Sequence, residues 1–198
     1  MRWLSLHLRA RHAPAAAAVA GLAAVTAWGA WLLASDTRQI GPPTTAFAVA
    51  LAAVAAARTF SGADESLDRT AAVDWPRLRA VHLVVVFALL LGLFAVSLPG
   101  PAQFGPFALV VRDGAGLLGL SALGSVLLGS QRAWFAPIAW CVIALPYGGS
   151  AGRSLQVLTW MIQPVDVGAA AVTSIVLAVA GAGAFVRGRT RLPRSEAL

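Results

Sequence analysis

The chain has 198 residues, of which 59% are hydrophobic and 12% are charged, and its mean hydropathy is +0.77. A chain this apolar is unlike a soluble domain, and it has no polar stretch long enough for a nucleotide-binding or catalytic domain. We therefore predict an all-α integral membrane protein with a single transmembrane domain, residues 1–198. The net charge of +7 is better explained by charge asymmetry across a bilayer than by nucleic-acid binding.

The chain begins with residues 1–12, in which Trp3 and several leucines alternate with arginines, a pattern that predicts a helix in the membrane interface. Residues 13–34 follow as a first span that is long enough to cross the bilayer, so we expect it to be retained rather than cleaved as a signal peptide. Proline, glycine and charged residues separate the remaining apolar runs. The five further predicted spans are 41–60, 80–98, 104–130, 133–147 and 165–186.

Six spans place both termini on one side of the membrane. All fifteen basic residues are arginine, which suggests a bacterial genome of high GC content, and twelve of them fall on the side of the termini. Only Arg38, Arg112 and Arg153 fall on the opposite side. By the positive-inside rule, the termini, the connector 61–79 and the tail 187–198 are predicted to be cytoplasmic, in a bacterial plasma membrane.

The connector 61–79 is the longest polar interval of the chain. Ser61 is a suitable cap for a short helix that ends near Val73, and Pro76 suits the first turn of the next helix. A small amphipathic helix between two spans is a contact surface. Its candidate contact residues are Asp64, Glu65, Leu67, Asp68, Arg69, Asp74 and Arg77.

A second connector, residues 147–164, lies on the outer side. Leu155, Leu158 and Ile162 would share one face of a helix there, which is too apolar to stand free in water. We predict that this segment dips into the membrane before the last span. Trp160 is expected near the outer interface, and Arg153 faces water or headgroups.

Arg112 and Asp113 interrupt the fourth apolar run. Charges within a membrane are costly and usually functional, so the pair could line a pathway. Alternatively, residues 107–111 form a short interfacial helix and the span begins near Gly114, which leaves both side chains at the outer interface.

The sequence offers no catalytic apparatus. His7, His12 and His82 are far apart and lack the spacing of metal ligands, and Cys141 is the single cysteine. A chain without lysine has no Walker-type phosphate loop. We expect no enzyme activity, no metal and no cofactor in this chain.

The arrangement resembles the permease subunits of ABC-2-type bacterial exporters. Those have six spans, cytoplasmic termini, an interfacial N-terminal helix, a coupling helix between spans two and three and a membrane-dipping hairpin before span six. The similarity includes the runs VVRDGAGLLGL from Val110, QRAWFAPIAW from Gln131 and TWMIQPVD from Thr159. Its most specific part is the connector, with Asp64, Glu65, Asp68, Asp74, Pro76, Arg77 and Arg79.

The resemblance implies that a separate ATPase subunit binds ATP and Mg²⁺ and acts on the connector. A second permease subunit, identical or not, would enclose the path together with this one, among membrane lipids. The apolar interior favours an amphiphilic or hydrophobic cargo such as a drug, a peptide or a lipid-like product. Two other functions stay open: a non-transporting membrane anchor or immunity-type protein, and an ion-coupled carrier.

Overall fold

The computed structural model describes residues 13–60, 75–148 and 152–188. The predicted interfacial helix 1–12, the connector residues 61–74 and the tail beyond 188 lie outside the described residues. The helices are α1 (Ala13–Ala34), α2 (Pro42–Ala57), α3 (Trp75–Ala95), α4 (Phe107–Leu128), α5 (Phe135–Ala144), α6 (Arg153–Leu158) and α7 (Gly168–Arg187). Single 3-10 turns cover Arg58–Phe60, Ser130–Arg132, Leu145–Tyr147 and Trp160–Ile162, and two short strands are β1 (Gln39–Ile40) and β2 (Gln103–Phe104).

Five of the described helices are long and apolar enough to cross a membrane, so the chain is an all-α, multi-pass membrane protein as predicted. They are Pro14–Ala34, Pro42–Phe60, Trp75–Ala95, Phe107–Leu128 and Gly168–Arg187. The third of them starts before the predicted boundary at residue 80. This start places Pro76 in the first turn of the helix, as the sequence predicts, where its missing N–H has no intrahelical partner.

The predicted span at 133–147 corresponds to α5 and the turn that follows it. Helix α5 has 10 residues, which at the rise of an α-helix makes it about 15 Å long. The hydrocarbon core of a bilayer is about 30 Å thick. Helix α5 alone therefore does not cross it, and the count of six spans stays a prediction.

Helices α4 and α7 pack side by side and run in the same direction. The Ser174 hydroxyl of α7 donates to the carbonyl oxygen of Arg112 near the start of α4. One to two turns further along both helices, Gly119 lies against Leu177, Ala178 and Gly181. Because α4 and α7 are parallel, the chain between them must return across the same distance, and it does so through α5, α6 and the turn at Trp160–Ile162.

One end of the helix bundle contains the two short strands, and the other end is rich in arginine. We call one the strand end: residues 35–41, 96–106 and 164–167. There, β1 and β2 pair in parallel, with Gln39 opposite Gln103 and Ile40 opposite Phe104. The other, the arginine end, comprises residues 58–60, 75–82, 129–134 and 185–188, where α2 and α7 finish and α3 begins.

Helices α2 and α4 form the centre of the bundle. In the most apolar part of each helix, 61% of the residues are buried in α2 and 67% in α4, whereas only 11% are buried in α1 and in α3. Helices α1, α3 and α7 instead expose valine and leucine side chains such as Leu22, Leu89 and Val176. In water such large apolar patches would be unfavourable, whereas lipid tails solvate them well.

At the strand end, Trp28 of α1 joins the loop before β2. Its indole Nε1 donates to the carbonyl oxygen of Ala102 over 2.9 Å, 74 residues along the chain. We expect Trp28→Phe to lower the free energy of unfolding by about 1 kcal/mol, because a partly buried carbonyl loses its donor. Unfolding followed by circular dichroism in detergent measures this. Trp31→Phe is the control, because Trp31 Nε1 bonds only the nearby, exposed Thr37 carbonyl, and an equal loss in both variants would contradict the prediction.

Candidate functional site

Among the described residues, the buried charged side chains lie on α4. This helix runs without a break from Phe107 to Leu128, so the alternative of a separate interfacial helix with a span starting near Gly114 is wrong. The Asp113 side chain is 0% exposed and that of Arg112 is 8% exposed. Asp113 shares its helix face with Val110 and Leu117, one turn away on either side, and both of these are fully buried as well. Both charged side chains are therefore enclosed by the protein.

The guanidinium of Arg112 makes four hydrogen bonds. Its Nε donates to Asp113 Oδ1 over 3.0 Å. Its two terminal nitrogens donate to backbone carbonyl oxygens of one short stretch: Nη1 to Pro164 at 3.0 Å, and Nη2 to Gln163 at 2.9 Å and Met161 at 3.3 Å. Arg112 thus holds residues 159–164, which we call the clamped segment, against α4.

The clamped segment is itself part of the core. Thr159, Trp160 and Met161 are fully buried and Gln163 is nearly so. Its polar side chains satisfy one another, since Gln163 Nε2 donates to Thr159 Oγ1 over 2.6 Å. These two residues are four positions apart, so they meet on one side of the turn. Burial of this segment agrees with the sequence argument that residues 147–164 would not stand free in water.

A glycine of α4 makes room for the clamped segment, and two side chains of α5 contact it and the residue just before it. A side chain at Gly116 would overlap the six-membered ring of Trp160, so glycine allows the indole to lie directly on α4. On the other side, the Cys141 thiol contacts the Met161 sulfur at 3.4 Å. The Trp140 indole donates to the Leu158 carbonyl over 2.8 Å. Helices α4 and α5 therefore both fix the position of the clamped segment.

Two buried polar atoms of this region lack a hydrogen-bond partner among the described residues. They are Asp113 Oδ2 and Trp160 Nε1. Buried polar atoms are paired in most native proteins, and an unpaired carboxylate oxygen is especially costly in an apolar interior. The Arg112–Asp113 pair is therefore unevenly satisfied, with four hydrogen bonds on the arginine and one on the aspartate.

The strand end has an apolar cavity next to this pair. Its volume is about 340 Å³. Leu109 lies on the same face of α4 as Asp113, one turn closer to the strand end, and Pro164 contributes the carbonyl that Arg112 holds. The lining residues are Gln39, Ile40, Gly41, Pro42, Gly105, Pro106, Leu109, Pro164 and Val165.

A second cluster ties three elements together at the arginine end. The Thr59 hydroxyl and His82 Nε2 share a hydrogen bond of 2.9 Å. The ring of Phe60 lies 5.0 Å from that of Phe185, and Arg79 approaches both the Phe185 carbonyl at 3.5 Å and its ring at 5.9 Å. A cation at the C-terminus of a helix interacts favourably with its dipole. The residues flanking the connector 61–74 are thereby anchored to the end of α7.

The structure brings together only some of the predicted site residues. Arg112, Asp113 and Trp160 form one buried region, and Trp160 lies in the interior rather than facing outward. Arg153 begins α6 as an exposed residue, and Arg77 is exposed in the first turn of α3. The predicted contact residues Asp64, Glu65, Leu67, Asp68, Arg69 and Asp74 lie outside the described residues.

Sequence reasoning missed Thr159, Gln163 and Ser174 as members of the site. The spacing of Thr159 and Gln163 by four residues, on both sides of a tryptophan in an apolar run, was the available signal. Ser174 carried no such signal, since a serine within a span often bonds to its own helix.

No protein-family model, curated protein or solved structure matches this chain.

Proposed function

We propose that this chain is the membrane-spanning permease subunit of an ATP-binding-cassette exporter in a bacterial plasma membrane. In this proposal the chain carries no catalytic step, and a separate ATPase subunit binds ATP and Mg²⁺. A second permease subunit encloses the path together with this one, and an amphiphilic or hydrophobic cargo such as a drug, a peptide or a lipid-like product moves outward.

The order of the helices supports six crossings. Among the described residues α1, α2, α3 and α4 alternate in direction, and α7 is parallel to α4. If α5 and the clamped segment together carry the chain back across the membrane between α4 and α7, the number of crossings is six. Helix α1 begins and α7 ends at the arginine end, so both termini would lie on that side.

The distribution of charge supports a cytoplasmic arginine end. Its described residues include Arg58, Arg77, Arg79, Arg132 and Arg187, whereas the strand end has Arg38 together with Asp36 and Asp166. Cytoplasmic loops of membrane proteins carry an excess of arginine and lysine. The connector 61–74, which leaves from the arginine end, would then face the compartment that contains ATP.

The observation that carries the proposal is the anchoring of the connector's flanks. Thr59 and Phe60 precede residues 61–74 of the connector, Arg79 and His82 follow these residues, and all four belong to the cluster around Phe185. A force applied by an ATPase to residues 61–74 would therefore reach α2, α3 and α7 together. A membrane anchor has no need for such a connection between its partner-binding loop and three helices.

The direct test is purification of the tagged chain from its native membrane in a gentle detergent, followed by mass spectrometry of the proteins that accompany it. Recovery of an ABC-type ATPase whose hydrolysis rate changes when cargo is added to the complex in liposomes supports the proposal. Recovery of the chain alone, or with a partner that is no ATPase, would contradict it.

Reversal of two charges in the connector gives a sharper prediction. We expect Glu65→Lys combined with Asp68→Lys to reduce recovery of the ATPase by roughly tenfold, which corresponds to about 1.4 kcal/mol of binding free energy. Membrane insertion should be unchanged, because the connector lies between spans. The matched control is Asp36→Lys with Asp166→Lys, the same change of charge at the strand end. Equal recovery of the ATPase with both double variants would count against the connector as its binding site.

A further inference from the structure

The Arg112–Asp113 pair differs from an ordinary salt bridge in how its two charges are satisfied. Three backbone carbonyls and Asp113 Oδ1 surround the guanidinium. The carboxylate receives only the hydrogen bond from Arg112 Nε, and its Oδ2 is buried without a partner among the described residues. The surroundings therefore stabilise the positive charge of Arg112 without needing the negative charge of Asp113.

We infer that Asp113 is a proton-binding site and that its Oδ2 carries a proton in this structure. Protonation forms one O–H bond at Oδ2 and removes the negative charge, while Oδ1 continues to accept from Arg112. In an apolar interior an uncharged hydroxyl without an acceptor costs less than a charged oxygen without a donor. The inference concerns this chain alone and does not depend on the proposed ATPase partner.

The groups around Asp113 offer no competing charge. On its own helix Arg112 is the one charged neighbour. The elements packed at this level of α4 are the clamped segment, which Arg112 holds and whose Trp160 lies against Gly116, together with Ser174 of α7, which donates to the Arg112 carbonyl, and α5, whose Cys141 contacts Met161. Helix α2, which also packs against α4, has no charged residue between Pro42 and Ala57, and the charged or titratable residues of α3 and α7, namely Arg77, Arg79, His82 and Arg187, lie at the arginine end. Among the described residues of these elements, a second carboxylate therefore does not share the proton.

The cavity at the strand end provides the route by which the proton exchanges. Its lining residue Leu109 is one helical turn from Asp113 on the same face of α4, and its lining residue Pro164 accepts from Arg112 Nη1. Val165, at 42% exposure, lies on the cavity wall toward the outside. A proton that arrives from the strand end therefore meets Asp113 beneath the first turn of α4, while the buried helices α2 and α4 separate it from the arginine end.

Infrared spectroscopy of the full chain in lipid vesicles tests this directly. At neutral pH we expect the carbonyl-stretch band of a protonated carboxylic acid, which is lost at alkaline pH and is absent from Asp113→Asn at every pH. Asp166→Asn, a substitution of an exposed aspartate at the strand end, should keep the band. A spectrum in which Asp113→Asn and the unchanged chain do not differ in this band at neutral pH would overturn the inference.

Thermal stability gives a second, independent outcome. An asparagine has the shape of a protonated aspartate and keeps a carbonyl oxygen for Arg112 Nε, so Asp113→Asn should shift the unfolding midpoint by less than about 3 °C at neutral pH. If Asp113 were ionised, the same substitution would leave Arg112 without its counter-ion, and the midpoint would fall by clearly more than this. That larger fall would also overturn the inference.

The route is tested by Val165→Trp, which fills the outer wall of the cavity without touching the pair. After transfer into D₂O, the acid band of Asp113 shifts as its proton is exchanged for deuterium. We expect this exchange to slow severalfold in Val165→Trp relative to the unchanged chain. An unchanged rate would show that protons do not arrive through the strand-end cavity.

Discussion

Gly181→Ala is expected to destabilise the protein by about 3 kcal/mol, near the upper end of what overpacking costs. A Cβ at position 181 would overlap the backbone carbonyl of Gly119. Backbone atoms of a helix do not move aside as a flexible side chain does, so α4 and α7 would have to separate along their length. Close approach of this kind depends on glycine, because helices in lipid gain most of their association energy from packing.

The free energy of unfolding in mixed micelles titrated with a denaturing detergent measures this effect. Gly183→Ala is the matched control, since it adds the same methyl group to the same helix, and there the nearest atom is Arg187 Nη1 at 3.7 Å. Replacing a helical glycine with alanine in open space typically stabilises by up to about 1 kcal/mol. Equal destabilisation by both substitutions would rule out the contact with Gly119 as the cause.

Arg112→Gln is expected to lower the free energy of unfolding by about 3 kcal/mol or more. The substitution removes the donors of three carbonyl oxygens, two of which belong to the buried residues Met161 and Gln163. Each buried acceptor left without a partner costs about 1–3 kcal/mol. Local release of the clamped segment should accompany the loss, because Met161, Gln163 and Pro164 are the residues that Arg112 holds. Hydrogen–deuterium exchange of the peptide that contains residues 159–164 should therefore become faster.

Arg153→Gln provides the comparison for this prediction. It makes the same chemical change at an exposed arginine that lies a few residues before the clamped segment. We expect a change within about 0.5 kcal/mol, as for most surface substitutions, and unchanged exchange of the 159–164 peptide. If Arg112→Gln left the exchange of that peptide unaltered, the clamp would not be what holds the segment in the core.

The positions of the long helices were largely predictable from the sequence. The first predicted span, 13–34, coincides with α1, and the prolines at 42 and 43 begin α2 as expected. Helix boundaries of this kind depend on local chemistry, namely apolar runs and the residues that interrupt them. Helix α3 starts at Trp75, so Pro76 lies in its first turn as predicted, and Arg77 and Arg79, which precede the predicted span 80–98, belong to the first turns of this helix.

The candidate site was predictable only in part. The sequence singled out Arg112, Asp113 and Trp160 because charged and aromatic residues are conspicuous in apolar runs. It left open whether the pair was exposed, and of its two alternatives the one with a separate helix at residues 107–111 is wrong, because α4 is continuous. The acceptors of Arg112 are backbone carbonyls, which every residue has, so no side-chain pattern could identify them.

The sequence by itself determined that the chain is a helical membrane protein, because the balance of apolar and charged residues fixes which solvent the helices can face. Only the tertiary structure decided that α4 and α7 run in parallel and that Arg112 meets a segment 49–52 residues later in the chain. Contacts between such distant residues depend on close packing of whole helices. These contacts require the close packing of Gly119 against Gly181 and the burial of the clamped segment, and both form only when the helices come together.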